Sequence, residues 1–221
     1  MAKSKLAIEG IYKSGVGSTA PGASHASELP AAGRGKLEQI VAAAIRVFLE
    51  NGYSGTSMNR VAEEAGVIKQ TIYSHFTDKE SLFVAIIEEL TIKRFKADFE
   101  AGLCHTTPEE LFEYMIKYFG EQRKNQQYLS LVRLVVGESE RFPDLARLYF
   151  KTVVGPCQTM LATYFDAHPE LDKVDDSLAA AAIAAGAFVS SMMCQEILLG
   201  KEFIPIDIDR VGKQLTKLFI G

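Results

Sequence analysis

Residues 56–82 read TSMNRVAEEAGVIKQTIYSHFTDKESL, and this stretch decides the fold of the chain. Its pattern predicts two short helices joined by a tight turn. Ser57 is a residue type favoured as an N-cap, and Val61 and Ala62 fall on one apolar stripe of the first helix. Gly66 can adopt the left-handed conformation that ends a helix sharply. The stretch therefore predicts a helix-turn-helix, an arrangement that reads DNA in many proteins.

The second helix of this motif is expected at about residues 68–76. Ile72 and Phe76 lie one turn apart and form its inward face. The remaining side chains are left to face outward, and they are Lys69, Gln70, Thr71, Tyr73 and His75. An ordinary pair of packed helices with a polar surface is the alternative interpretation. The order of cap, small residues, glycine turn and polar helix favours DNA reading.

The same segment resembles the signature of the tetracycline-repressor (TetR) family of transcriptional regulators. The residues that carry the resemblance are Thr56-Ser57, Val61-Ala62, Ala65-Gly66-Val67, Thr71-Ile72-Tyr73, Phe76, Lys79-Glu80 and Leu82. The resemblance covers about residues 34–94. Ile68 departs from it, because the family usually has a Ser or Thr there to cap the recognition helix. The missing hydroxyl is expected to cost about 1 kcal/mol unless another group replaces it.

The resemblance implies a set of DNA-contacting residues. The residues expected to hold phosphates are Ser57, Tyr73 and Lys79. The residues expected to face base edges or the flanking backbone are Lys69, Gln70, Thr71 and His75. Lys69 with guanine and Gln70 with adenine are the chemically natural pairings. The expected partner is therefore double-stranded DNA, with a pseudo-palindromic operator if the protein is a homodimer.

The whole chain is expected to be all-α in three parts. Residues 1–33 are rich in Gly, Ala and Ser and predict a flexible extension, which leaves open whether it touches DNA. Residues 34–94 predict the DNA-binding domain, with the helix-turn-helix at about 57–76. Residues 95–221 predict a larger helical domain for effector binding and dimerisation.

Composition limits the way in which the chain can meet nucleic acid. The 221 residues have a pI near 5.7, which argues against a protein coated with nucleic acid. Residues 34–96 hold nine Lys and Arg against eight Asp and Glu, whereas residues 97–221 hold twelve against eighteen. A small positive excess confined to one end favours local phosphate contact.

The C-terminal half predicts further helices. A helix is expected from Pro108 to about residue 122, another over about 125–140, and a long helix over 145–167 that Gly155-Pro156 should kink. Residues 177–195 are uncharged, but their small side chains are weakly lipophilic and argue against a membrane span. With the amphipathic residues 206–220, they predict half of a four-helix bundle that a second copy completes.

The resemblance also implies a small-molecule effector in the C-terminal domain, which would release the operator by changing the spacing of the two DNA-reading ends. The candidate lining residues are Phe112, Met115, Phe119, Arg133, Phe142, Tyr149, Phe150 and Met192. Ordinary core packing is the alternative interpretation for the apolar members. An apolar or aromatic effector is expected, with Arg133 or Arg141 available for a carboxylate.

No pattern in the sequence indicates an enzyme or a cofactor. There is no nucleophile elbow, glycine-rich phosphate loop, HExxH or ligand-spaced Cys and His set, so no metal is expected. Three cysteines without metal-like spacing favour a reducing cytoplasm. The sequence thus predicts a dimeric repressor released by an effector. The alternatives are an activator, an effector-independent regulator, and an all-α ligand carrier without DNA binding.

Overall fold

The computed structural model describes residues 31–221, with side chains from residue 35 onward. Within that range the chain is helical and contains no strand, in agreement with the all-α prediction. The predicted flexible extension lies outside the described residues except for its last three. Those three belong to the first helix, which begins at Ala31 and not at residue 34.

Four helices form the N-terminal part, which we call the head (residues 31–90). They are α1 (Ala31–Asn51), α2 (Met58–Glu64), α3 (Lys69–His75) and α4 (Lys79–Leu90). The turns of α1 that face the other three helices are fully buried at Ile40, Ala44 and Phe48. Gly52, at a φ of 71°, follows α1 in the left-handed conformation that glycine adopts without strain.

The helix that follows the head is short and separate, which the sequence pattern does not predict. α4 ends at Thr91, whose buried hydroxyl donates to the Ile87 carbonyl at 2.5 Å. α5 (Lys93–Glu100) then turns away toward the C-terminal part, which we call the body (residues 93–221). Tyr118 of the body donates its hydroxyl to the Thr91 carbonyl, so the break between α4 and α5 is tied to the body.

The next two helices agree closely with the sequence. α6 (Pro108–Gln122) begins with a capping box in which Thr107 Oγ1 accepts from the Glu110 amide at 3.3 Å and Glu110 Oε2 accepts from the Thr107 amide at 2.9 Å. α7 (Gln126–Glu138) is capped by Asn125, whose side chain accepts from two amides of the first turn.

The predicted long helix with a proline kink is three pieces. α8 (Pro143–Tyr149) leads into a wider π-turn (Phe150–Val154), and α9 (Gly155–Ala167) follows without a break. Pro156 has no amide hydrogen, and its ring would clash with the carbonyl four residues earlier in a regular α-helix. The wider turn just before it removes that conflict, because the Gly155 amide bonds the carbonyl of Phe150 five residues back.

The last helices pack side by side. α10 (Ser177–Met192) continues into a second π-turn (Met193–Ile197), and α11 (Ile208–Phe219) lies across α10 and α6. Within the described residues, Ser177–Ile197 is long and apolar enough to cross a membrane by length and composition alone. α10 nevertheless contributes Ala181, Ala184 and Phe188, all fully buried, to the core of the body.

Two hydrophobic cores meet between the head and the body. The core of the head contains Leu131 and Val135 of α7 and Leu145 of α8 together with its own helices. The other core joins α5, α6, α9, α10 and α11. Residues of α7 and α8 therefore complete the core of the head and pack against the helices that carry the candidate DNA-reading residues.

Candidate nucleic-acid interface

The helix-turn-helix forms with the local contacts that the sequence predicts. Ser57 Oγ accepts from the Arg60 amide at 3.3 Å and caps α2. Gly66 has a φ of 61°, and the Val67 amide then closes the turn on the Ala62 carbonyl at 3.0 Å. A side chain other than glycine at this φ would be strained. The turn therefore fixes the direction in which the chain leaves α2 and enters α3.

α3 is anchored on one side only. Ile72 is fully buried and Phe76 is 7% exposed, and both pack into the core of the head. Ile68 precedes the helix, makes no side-chain cap, and is 69% exposed. As the sequence predicts, α3 therefore has no side-chain cap at this position, and among the described residues no other side chain takes the place of the hydroxyl. Of the amides in the first turn of α3, that of Thr71 donates to the Ile68 carbonyl at 2.9 Å.

Four predicted base-facing residues and Tyr73, which is predicted to hold a phosphate, all lie on α3. Lys69, Gln70 and Tyr73 are exposed, and Thr71 and His75 are half-buried. Lys69 Nζ lies 5.6 Å from the centre of the Tyr73 ring, so the ammonium and the aromatic ring form one surface. These five side chains offer donors, acceptors and one positive charge, which suits the polar edges and the phosphates of a DNA groove.

Two contacts hold α2 and α1 as a rigid support for α3. Gln39 Nε2 donates to the Ala65 carbonyl at 2.6 Å, at the end of α2. Arg46 Nε pairs with Glu64 Oε1 at 2.8 Å. The second pair is exposed and contributes little to stability. Together they orient α2, and through the short turn they limit the rotation of α3.

Lys79 makes contacts within the head that the sequence does not predict. Its Nζ donates to the carbonyls of Tyr53 at 2.8 Å and Thr56 at 3.3 Å, and it lies 4.2 Å from the centre of the Tyr53 ring. An ammonium has three donors, so one remains for the predicted phosphate contact. Neither carbonyl could be identified from the sequence, because they lie 26 and 23 residues away.

The carboxylate of Asp78 caps the N-terminus of α4 and offsets the positive end of the helix dipole. Asp78 Oδ1 accepts from the Ser81 amide at 2.7 Å, and Ser81 Oγ accepts from the Asp78 amide at 3.2 Å. The hydrogen bond from the Ser81 amide lowers the pKa of Asp78. The positive end of this helix is thus occupied by the protein's own charge. Asp78 is therefore the N-cap of α4.

The candidate effector residues do not gather around one space. Phe112, Met115 and Phe119 are buried in the core of the body. Phe142 packs on Tyr53 at 5.6 Å and belongs to the core of the head, where Tyr149 also makes contact. The other three candidates are separate again: Met192 is buried in a small cluster with Tyr128, Phe150 is 49% exposed, and Arg133 is exposed with Nη2 donating to the Glu196 carbonyl at 3.1 Å.

The structure gathers a different set of polar groups inside the body. Tyr118, Tyr128, Tyr149 and Cys157 come from α6, α7, α8 and α9 and lie within interaction range of one another. Burial raises the pKa of Tyr118 and of Tyr149 to about 12, and that of Cys157 to about 11. Burial likewise raises the pKa of Tyr128. All four groups are uncharged at neutral pH and can offer hydrogen bonds.

Two clefts open on the surface of the body. One has a volume of about 610 Å³ and is bordered by Arg123, Lys124, Lys201 and Arg210, with Asp207 pairing Arg123 at 3.4 Å. The other, about 400 Å³, is an apolar groove between α10 and α11. None of the eight candidate effector residues lines either cleft. Among the described residues, no group of three or more His, Cys, Asp or Glu is placed to hold a metal ion.

One contact joins the body to the end of α1, and sequence reasoning missed it entirely. Glu138, the last residue of α7, accepts through Oε1 from the Tyr53 amide at 3.3 Å. Its other oxygen, Oε2, is buried and has no partner among the described residues. The two residues lie 85 positions apart, so no local pattern could have paired them.

Comparison with known proteins agrees with this architecture. Residues 40–86 match the family described as bacterial regulatory proteins, tetR family. Residues 115–219 match the C-terminal domain of AefR-like transcriptional repressors, which extends the similarity well beyond the N-terminal segment that carries the sequence resemblance.

Curated relatives are matched over part of their length. The fatty acid metabolism regulator protein of Bacillus subtilis is 34% identical over 89 residues, which is 39% of this chain and 45% of that protein. The repressor AcnR of Corynebacterium diphtheriae is 36% identical over 76 residues, 34% of this chain and 40% of that protein. The matched region therefore covers less than half the length of each of these relatives.

Solved structures share the fold over most of the chain. The regulator FadR of Bacillus subtilis, solved in complex with stearoyl-CoA, has a TM-score of 0.63 at 17% identity and covers 83% of this chain and 97% of its own. A flavonoid-responsive regulator, FrrA, has a TM-score of 0.58 at 24% identity and covers 85% of this chain and 96% of its own. At these identities the likeness concerns the fold alone.

Proposed function

The chain belongs to the TetR family of bacterial regulatory proteins, and on that basis we propose that it is a dimeric transcriptional repressor that a small molecule releases from its operator. Proteins of this family are regulators and not enzymes. We place its action in the cytoplasm, where a regulator meets bacterial DNA and where its free cysteines stay reduced.

The observation that carries the proposal is the one-sided anchoring of α3. Ile72 is fully buried, while Lys69, Gln70 and Tyr73 are exposed. A helix of this kind can enter a major groove without unfolding any part of the head. In the proposed complex Lys69 and Gln70 read base edges, together with Thr71 and His75 at the margin of the helix.

The phosphate contacts surround this reading surface. Ser57 Oγ is used as the cap of α2, and its hydroxyl hydrogen remains available to a phosphate. Tyr73 is 45% exposed and presents its hydroxyl beside Lys69. Lys79 has a third donor left after its two carbonyl contacts. These three residues would hold the DNA backbone and fix the register of α3.

Dimerisation follows from the apolar face of α10 and α11. Ile183 on α10 is 60% exposed and Leu218 on α11 is 61% exposed, and the apolar groove lies between the two helices. A second copy would cover this face and form a four-helix bundle. Two heads would then meet major grooves one helical turn of DNA apart, about 34 to 36 Å, or a small multiple of that distance.

The effector would act through the body. We take it to be an apolar or aromatic molecule, since the interior of the body is lined by rings and uncharged hydroxyls. FadR of Bacillus subtilis was solved with stearoyl-CoA, and FrrA is described as flavonoid-responsive, so neighbours of this fold accommodate ligands of both kinds. Binding that moves α7 or α8 would shift the core of the head and change the spacing of the two α3 helices.

An activator is the second candidate. The activator FasR of Mycolicibacterium smegmatis is 38% identical over 50 residues, although these are only 23% of each chain. Deletion of the gene distinguishes the two, because transcription of a target gene rises when a repressor is lost and falls when an activator is lost.

Fluorescence anisotropy with duplexes from the upstream region of the chain's own gene tests the proposal. Lys69→Ala should weaken binding and relax the preference at one base position by about 1 to 3 kcal/mol. Lys117→Ala, an exposed lysine on α6, is the matched control and should leave both the affinity and the preference unchanged. Absence of binding by the wild-type protein at low salt, or equal losses in both variants, would contradict the proposal.

A further inference from the structure

The segment between the second π-turn and α11 exposes large apolar side chains without an evident partner. Residues 198–206, LLGKEFIPI, form what we call the arm. Phe203 is 80% exposed, Ile204 71% and Leu198 69%. A contiguous set of exposed apolar side chains on one protein marks a surface that another molecule covers.

The arm has a defined shape. Buried Gln195 donates through Nε2 to the Ile204 carbonyl at 3.3 Å and accepts through Oε1 from the Ile206 amide at 3.1 Å. The Ile204 amide donates to the Gly200 carbonyl at 2.8 Å. Leu199 has a φ of 58°, a left-handed conformation that leucine rarely adopts. The buried amide of Gln195 and the strained backbone of Leu199 thus fix the arm in a conformation that exposes its apolar side chains to solvent.

The arm continues the apolar face of α10 and α11. Ile206, its last residue, is also part of the apolar groove between those helices, with Ala187, Val211 and Leu218 along the same groove. Leu218 and Ile183 are exposed residues of the face assigned above to the second copy. The arm therefore adjoins the bundle face at Ile206, while Lys201, Pro205 and Ile206 also border the charged cleft.

We propose that the arm is part of the homodimer contact and packs against a second copy of this chain, outside the four-helix bundle. This inference rests on the dimer of the proposed function and adds a contact surface to it. In a twofold-symmetric dimer each arm residue is buried twice, once per subunit. The continuity of the surface favours the second copy over an unrelated protein or a lipid surface.

Sedimentation equilibrium of the full chain tests the arm with a matched pair of variants. Ile204→Ser and Ile68→Ser make the same change at nearly equal exposure, 71% and 69%, but Ile68 lies beside α3. The dimer dissociation constant should rise by roughly tenfold or more for Ile204→Ser, because two apolar contacts are lost, and should stay unchanged for Ile68→Ser. Circular dichroism checks that both variants keep their helices.

The absence of tryptophan from the chain provides a second measurement. The indole introduced by Phe203→Trp should emit at short wavelength in the dimer and shift to longer wavelength on dilution. The indole introduced by Ile68→Trp should emit at long wavelength at every concentration. Vesicles added at high dilution should leave the emission of Phe203→Trp unchanged, whereas a shift to short wavelength there would identify a lipid surface as the occupant and overturn the proposal.

The outcomes separate the arm from the dimer itself. If Ile204→Ser is as dimeric as the wild-type protein and the emission of Phe203→Trp does not depend on concentration, the arm proposal fails while the bundle dimer stands. If Ile183→Asp combined with Leu218→Asp also leaves the molecule dimeric, the bundle face of the proposed function fails as well.

Discussion

Glu138 of the body is expected to stabilise the head through its hydrogen bond with the Tyr53 amide, and Glu138→Ala should remove that stabilisation. The substitution removes the acceptor of the part-buried amide of Tyr53, a residue whose ring packs against those of Phe48, Phe83 and Phe142. An amide left without a partner in such surroundings costs about 1 to 3 kcal/mol. Removal of the unpartnered Oε2 offsets part of that cost, so the net loss of unfolding free energy should be about 1 kcal/mol.

Two assays measure this effect. Urea unfolding, followed by circular dichroism, gives the change in free energy of unfolding, with exposed Glu140→Ala as the control. Hydrogen exchange in a peptide that contains Tyr53 should become about fivefold faster or more in Glu138→Ala, since 1.4 kcal/mol corresponds to about tenfold. Wild-type stability together with unchanged exchange near Tyr53 would refute the reasoning.

A double-mutant cycle localises the contact further. A Cβ at Gly52 would lie 2.6 Å from Glu138 Oε1, and Gly52 has a φ of 71°. Gly52→Ala should therefore carry both a backbone strain and a clash, about 2 to 3 kcal/mol in total. In the Glu138→Ala background the clash disappears and only the strain of about 1 kcal/mol remains. Additive losses would show that the carboxylate does not press on this turn.

Three further outcomes are expected. Gly212→Ala should cost about 1 to 3 kcal/mol in urea unfolding, since its Cβ would lie 2.0 Å from Ile116 Cγ1, and Ile116→Ala should restore part of the loss. The pKa of Tyr118 and of Tyr149 is raised from 10.0 to about 12, so their contribution to stability is complete below pH 10 and disappears as pH rises through about 12. Loss of helical circular dichroism between pH 10 and 12 should therefore coincide with the absorbance of tyrosinate. Titration of these tyrosines near pH 10 with the helices intact would contradict this prediction. Tyr73→Ala should weaken binding to all DNA sequences about equally, and a change in base preference would assign Tyr73 to the bases instead.

Local patterns made the helix-turn-helix predictable. The cap at Ser57, the left-handed Gly66 and the buried Ile72 each depend on neighbours within a few residues, and the structure places all three as expected. The same holds for the start of α6 at Pro108, which the sequence predicts. Features of this kind depend on residues that are close together in the chain, so a single sequence is enough to predict them.

Contacts between distant segments could not be predicted. The carbonyls that hold Lys79 and the amide that Glu138 accepts from lie tens of residues away. The sequence offered Phe112 and Phe142 as candidate lining residues of one effector site, but it could not show that one joins the core of the body and the other that of the head. The π-turn before Pro156 was also beyond the sequence pattern, because proline predicts a disturbance of the helix and not the form it takes.

We propose that α3, presented twice by a symmetric dimer, reads the major groove. Selection of binding sites from a pool of randomised DNA duplexes tests this proposal, with the wild-type protein compared with a variant that carries Lys69→Ala and Gln70→Ala. The wild-type protein should enrich a pseudo-palindrome whose half-sites are about one helical turn apart or a small multiple of it, and the variant should lose or alter the preferred bases in both half-sites. Enrichment of the same sequence by both proteins, or of no sequence by the wild-type protein, would contradict it.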